Sequence, residues 1–158
     1  MSYNRMSFQQ GLKNGGYGEH AVWNMFNKMP KVRSVVDVRE DKLFQASDID
    51  FLVETIDRQF SAIEVKTDYK AHETGNIVYE VTTGGQIGCF EKTKAKYIAY
   101  FVPKSETVYL IGTRNFRQYV HNQELEPKRM GDDATGYLFS IEELIKNKII
   151  LSTYEGVV

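Results

Sequence analysis

The chain has 158 residues, 42% of them apolar and 26% charged, with a net charge of −1. That length fits one domain over 1–158 with a buried core, and the near-neutral balance excludes a protein held to nucleic acid by overall charge alone. The single cysteine, Cys89, excludes an internal disulfide or a cysteine-rich zinc module. With no signal peptide and no apolar run of membrane length, a cytoplasmic location and no membrane partner are expected.

In chain order, residues 1–14 are polar and glycine-punctuated, and a loosely ordered arm is expected there. Val22, Trp23 and Phe26 recur at helical spacing and predict a helix over 18–27, ended by Pro30. Glu19 falls in its first turn, where the helix dipole favours a carboxylate. Residues 31–38 alternate as a strand, and 39–45 read as a charged link. Two further strands are predicted over 47–54 and 62–68, joined by a polar hairpin connection. Residues 69–75 are polar and expected to be mobile, and 76–82 form another strand that carries Glu80. The run 83–88 is glycine-rich, but no Gly-Lys-Ser/Thr follows, so it is not a phosphate-cradling loop. One or two helical turns over 91–95 lead to the two most apolar strands, 97–102 and 107–111, expected inside a sheet. A helix over 113–122, a loop over 125–136, a capping box at Ser140-Ile141-Glu142-Glu143 and a strand over 149–153 complete the chain.

Acidic residues on strands that ought to be half buried are the unusual feature. Glu64 and Lys66 are two apart and share one face of their strand, while Ile63 and Val65 take the other. Asp48 and Asp50 share a face in the same way. If these strands pair, two carboxylates and an ammonium meet on one surface. Hard divalent cations prefer carboxylate oxygens, so Asp50 and Glu64 can hold Mg2+, with the Val65 carbonyl as a further ligand and Glu19 as a fourth. A water activated there, oriented by Lys66, can attack a phosphodiester. A lone Glu-x-Lys is more often a solvated strand face with a cross-strand ion pair. An acidic helix start, an Asp on one strand and Glu-x-Lys on the next, in that order, is a more particular combination.

Those residues resemble the PD-(D/E)xK nuclease superfamily. Asp50 matches the motif Asp, Glu64-Val65-Lys66 matches (D/E)-x-K fourteen residues on, and Glu19 matches the glutamate of the preceding helix. Ile49 stands where the motif proline is usual, and Asp48 competes with Asp50 for the motif position; Asp-Phe-Leu-Val followed by Ile-Glu-Val-Lys favours Asp50. The resemblance covers residues 18–102. It implies an α/β (α+β) protein with a restriction-endonuclease-like core, a central mixed β-sheet flanked by helices. It also implies a Mg2+-dependent DNA endonuclease, with Mn2+ able to substitute and Glu19, Asp50, Glu64 and Lys66 as catalytic residues. A homodimer acting on branched DNA, as Holliday junction resolvases do, is one form of that expectation; a phage or mobile-element nuclease is another. The near-neutral charge keeps open a catalytically silent DNA-binding or regulatory module of the same fold.

Secondary candidates are Gln45 and Glu80 as site neighbours, beside Asp48. Lys92, Lys94, Lys96, Arg114 and Arg117 could form a phosphate-tracking face, or an ordinary solvated surface. Cys89 reads as a small buried hydrophobe.

Overall fold

Period-two alternation on the most apolar strand buries both of its faces, and the rest of the fold is layered on those two faces. In the computed structural model, which describes residues 16–131 and 133–158, that strand is β6 (Tyr97–Val102). It lies fourth in a six-stranded sheet ordered β1-β2-β3-β6-β7-β10. Strand β2 (Phe51–Thr55) runs antiparallel to both β1 (Val32–Asp37) and β3 (Phe60–Thr67). Strand β6 is parallel to β3, and β7 (Thr107–Gly112) and β10 (Ile150–Tyr154) complete the sheet antiparallel. The architecture is therefore mixed α/β, a mixed sheet flanked by helices. The expected arm over 1–14 lies outside the described residues.

On one face, Ala99 and Phe101 of β6 join Ile63, Val65 and Val53 beneath α1 (Tyr17–Asn27), which contributes Ala21, Val22, Trp23, Met25 and Phe26. On the other, Ile98, Tyr100 and Val102 meet α5 (Thr113–His121), α6 (Ile141–Lys146) and a second sheet. Each fully buried large apolar side chain contributes about 1.5–3 kcal/mol relative to exposure, so these two layers hold the fold. Among the described residues, no helix is long and apolar enough to cross a membrane.

The second sheet, ordered β5-β4-β9-β8, departs most from expectation. The predicted loop over 125–136 instead holds β8 (Lys128–Met130) and the start of β9 (Ala134–Ser140). Strand β9 is specified by pairing with β4 (Asn76–Thr83), more than fifty residues earlier, and no local alternation announces it. The glycine-rich run is a tight turn, with Gly84 and Gly85 at φ +59 and +75, between β4 and β5 (Gln86–Ile87). The expected charged link contains a short helix, α2 (Lys42–Ala46), whose cap Asp41 accepts the Leu43 N–H at 2.9 Å. The segment expected to be mobile holds α3 (Ala71–Thr74), fixed by Asp68, whose Oδ1 accepts the Lys70 and Ala71 N–H groups. The helical turn expected over 91–95 starts earlier, as α4 (Cys89–Lys92).

At α6 the capping box has its first half: Ser140 Oγ accepts the Glu143 N–H at 3.0 Å. A Ser140→Ala protein should lose about 1 kcal/mol of stability. Urea denaturation will show this as a lower midpoint at unchanged slope, and an unmoved midpoint would refute the cap.

Candidate functional site

Strand β2 begins at Phe51, four residues later than its predicted start, because Asp48 adopts a left-handed backbone at φ 49. Asp48 and Asp50 therefore do not share a strand face. Asp50 occupies the point where the β2–β3 ladder opens. Its N–H donates to the Ile63 carbonyl at 2.9 Å, and its Oδ2 accepts the Val65 N–H at 2.9 Å. The carboxylate thus takes over a ladder bond that a peptide carbonyl would otherwise make, which fixes it against β3.

Between Ile63 and Val65 on β3, Glu64 meets Asp50 directly. Burial raises the Glu64 carboxyl well above the usual range, and the charges of Asp50, Asp48 and Glu19 and a hydrogen bond to Asp50 add to it. Burial also raises Asp50, opposed by the Val65 N–H bond and reinforced by the charge of Glu19. Two carboxyls in contact cannot both ionise cheaply, and together they behave as a coupled pair that shares a proton.

Glu19 reaches this pair through a close approach of helix to sheet. A Cβ on Gly18 would lie 1.8 Å from Thr67 Oγ1, so only glycine lets the first turn of α1 rest on the end of β3. The Glu19 charge acts on both Asp50 and Glu64 from there. Arg39 supplies an opposing charge to Asp50; it is held by Asp37 at 2.7 Å and stands over the Phe51 ring.

Lys66 does not turn toward Glu64. Its Nζ donates to Glu80 Oε2 at 3.2 Å, across to the second sheet, and the same oxygen accepts the Thr83 hydroxyl at 2.9 Å. Asp48 docks on the segment after α4: its carbonyl accepts from Thr93 Oγ1 at 2.6 Å and its Oδ1 lies 3.5 Å from Lys92 Nζ.

The sequence-derived set is thus partly gathered. The charges of Glu19, Asp48 and Asp50 all act on Glu64, that of Glu19 acts on Asp50 as well, and Val65 is the residue between Glu64 and Lys66 in the strand. Gln45 is exposed, and its amide donates to the Arg39 carbonyl at 2.7 Å. Of the five expected phosphate-tracking cations, Lys94 and Arg114 are exposed and Lys96 sits over the Tyr97 ring at 5.3 Å. Lys92 is engaged by Asp48, and the Arg117 guanidinium donates to the Phe90 and Thr93 carbonyls. Arg117 is therefore a structural clasp between α5 and α4.

Sequence reasoning assigned Cys89 to the core, yet its Sγ donates to Glu64 Oε1 at 3.8 Å. Burial and the Glu64 charge push this thiol up to about 12, which keeps it protonated and unreactive. No spacing in the sequence announces that contact, because α4 brings Cys89 to β3 only through the tertiary fold.

Among the described residues, no group of three or more His, Cys, Asp and Glu side chains is gathered as for a metal ion. The donor set in contact is the Asp50–Glu64 pair. Its chemistry fits a hard divalent cation, whose charge would offset the burial that raises both carboxyls, and magnesium commonly uses only one or two protein carboxylates. No family model, curated protein or solved structure matches the chain.

Proposed function

We propose that the chain is a magnesium-dependent DNA endonuclease of the PD-(D/E)xK kind, with manganese able to substitute. The observation that carries this reading is the contact of two pKa-raised carboxylates, Asp50 and Glu64, with Lys66 two residues on in the same strand. The chain path supports it too. A helix, three antiparallel strands and a strand parallel to the third agree with part of the framework that a restriction-endonuclease-like core implies, while β4, β5 and two one-turn helices stand where its second helix is expected.

In this reading Asp50, Glu64, the Val65 carbonyl and Glu19 hold the cation. When bound, it supplies Lewis-acid neutralisation of charge on the phosphodiester oxygens. Asp50 and Glu64 release their shared proton to receive it, so occupancy rises with pH. Lys66 brings three N–H donors, which orient the attacking water and stabilise charge on the phosphoryl oxygens. Water oxygen bonds to phosphorus as the ester P–O bond breaks; the attacking water gives its proton to solvent, and the departing ester oxygen takes a proton from solvent to leave as a hydroxyl. A homodimer acting on branched DNA belongs to the same reading, and sedimentation with and without a four-way junction tests it.

Incubation with supercoiled, linear and four-way-junction DNA and with RNA, in magnesium or manganese, tests the activity. Wild-type protein should cleave DNA, and Lys66→Ala should slow cleavage by about 10²-fold or more while folding normally. A wild-type protein inert on all four substrates sinks the proposal. The engagement of Lys92 by Asp48 at the surface and of Arg117 by the Phe90 carbonyl favours one competing reading, a binding module without turnover. Retained DNA binding with no cleavage and no manganese uptake in calorimetry would select it.

A further inference from the structure

We infer that Glu80 is a positioning residue for this site, acting through Lys66 and keeping the ammonium off the carboxylate pair. The inference rests on the metal-site reading of Asp50 and Glu64.

An ammonium two residues from Glu64 on the same strand face has the reach to neutralise that carboxylate itself. A lysine settled there competes with a divalent cation for the same oxygens. Lys66 instead bridges to the second sheet, pairing with Glu80 at 3.2 Å, with both side chains about three-quarters covered, their exposures being 28% and 21%. Among the described residues this is the salt bridge that joins the two sheets beside the site.

Glu80 is held for the task from several sides. Its Oε2 accepts the Thr83 hydroxyl as well as the ammonium. The β4–β9 register shifts between Glu80 and Thr82, a local irregularity that re-aims side chains. Two glycines then press on the backbone at this point. A Cβ on Gly88 would lie 2.2 Å from the Glu80 carbonyl oxygen, and one on Gly136 would lie 2.1 Å from that of Tyr79. A solvated strand face would need none of this fixation. A carboxylate whose position sets where an ammonium rests does need it.

The test is a double-mutant cycle read as manganese affinity by calorimetry, with wild type, Glu80→Gln, Lys66→Met and the double variant. Glu80→Gln keeps the volume but lets Lys66 swing onto Glu64, so affinity should fall about tenfold, in the range of outer-sphere ligand changes. In the Lys66→Met background the same change should cost nothing, because the competing ammonium is gone. An equal loss in both backgrounds would make Glu80 a direct ligand or a purely structural residue and overturn the inference. So would no loss in either. Thr83→Val, which removes one hydrogen bond to Glu80 and leaves its charge, should weaken binding by about two- to threefold in the same direction; it decides the matter if Glu80→Gln melts early. Wild-type protein that takes up no manganese overturns the metal-site reading together with this one, whereas uptake with a cycle that does not cancel overturns this one alone.

Discussion

Glu64→Gln should abolish metal-dependent cleavage and, at the same time, make the metal-free protein more stable above neutral pH. The two effects have one origin. Glu64 and Asp50 are both raised in the folded state, by burial first; the charges of Asp50, Asp48 and Glu19 raise Glu64 further, and that of Glu19 raises Asp50, where the Val65 N–H, the hydrogen bond with Glu64 and Arg39 oppose the rise. Groups raised above their unfolded values favour the protonated fold. Their contribution is fully present below the unfolded carboxylate range and is lost as pH rises through the raised folded values. The metal-free wild type should therefore lose stability between weakly acidic and alkaline pH, and Glu64→Gln should flatten that decline. At pH 8 the gain should be about 1–3 kcal/mol. At pH 4.5 it should be near zero. Added manganese should stabilise wild type increasingly with pH and leave the variant unmoved, since one of two contacting donors is gone. Loss of several kcal/mol of charge stabilisation corresponds to a rate loss of about 10³-fold. Thermal melts across pH, with and without manganese, provide the check. A variant less stable than wild type at pH 8 would mean that the pair is not under repulsive strain.

Why the acidic pair was legible in sequence, and its surroundings were not, follows from range. The helix over 18–27 and the strands 97–102 and 107–111 declare themselves through local apolar periodicity, and the structure has them at Tyr17–Asn27, Tyr97–Val102 and Thr107–Gly112. The meeting of Asp50 with Glu64 needs only one hairpin, in the register Phe51↔Ile63. The partners of the site come from farther away. Glu80 reaches Lys66 from another sheet, and Cys89 reaches Glu64 from a one-turn helix with a single buried residue, Phe90. Helix α2 has no buried residue at all, so no apolar stripe could announce it. Strand β9 leaves Leu138 57% exposed and owes its place to backbone pairing with β4. Local pattern reports what local burial requires, and these elements are set by contacts across the fold.

Gly88→Ala should be among the most damaging single-methyl changes in the chain, although its backbone suits any residue. At φ −69 and ψ 159, Gly88 carries no conformational demand for glycine. The demand is for space, because the new Cβ would meet the Glu80 carbonyl at 2.2 Å from oxygen and 2.6 Å from carbon, both main-chain atoms of β4. The surroundings leave little room to yield. The Gly88 N–H donates to the Val81 carbonyl at 2.8 Å, and its own carbonyl accepts from Glu91 and Lys92 at the end of α4. Relief must come by lifting α4 off β4, and α4 is tied down by the Arg117 clasp at Phe90. The cost should be about 3 kcal/mol, the upper end for overpacking, which for a chain of this size lowers the melting temperature by about 6–12 °C. Gly85→Ala is the control. Gly85 sits at φ +75 with nothing within 4 Å of a would-be Cβ, so only conformational strain opposes it, at about 1 kcal/mol. A melting series should rank Gly88→Ala well below Gly85→Ala, and manganese affinity should fall only for Gly88→Ala, because only that change displaces Glu80. If the two variants melted together, the contact of Gly88 with the β4 backbone could not be what sets the position of Glu80.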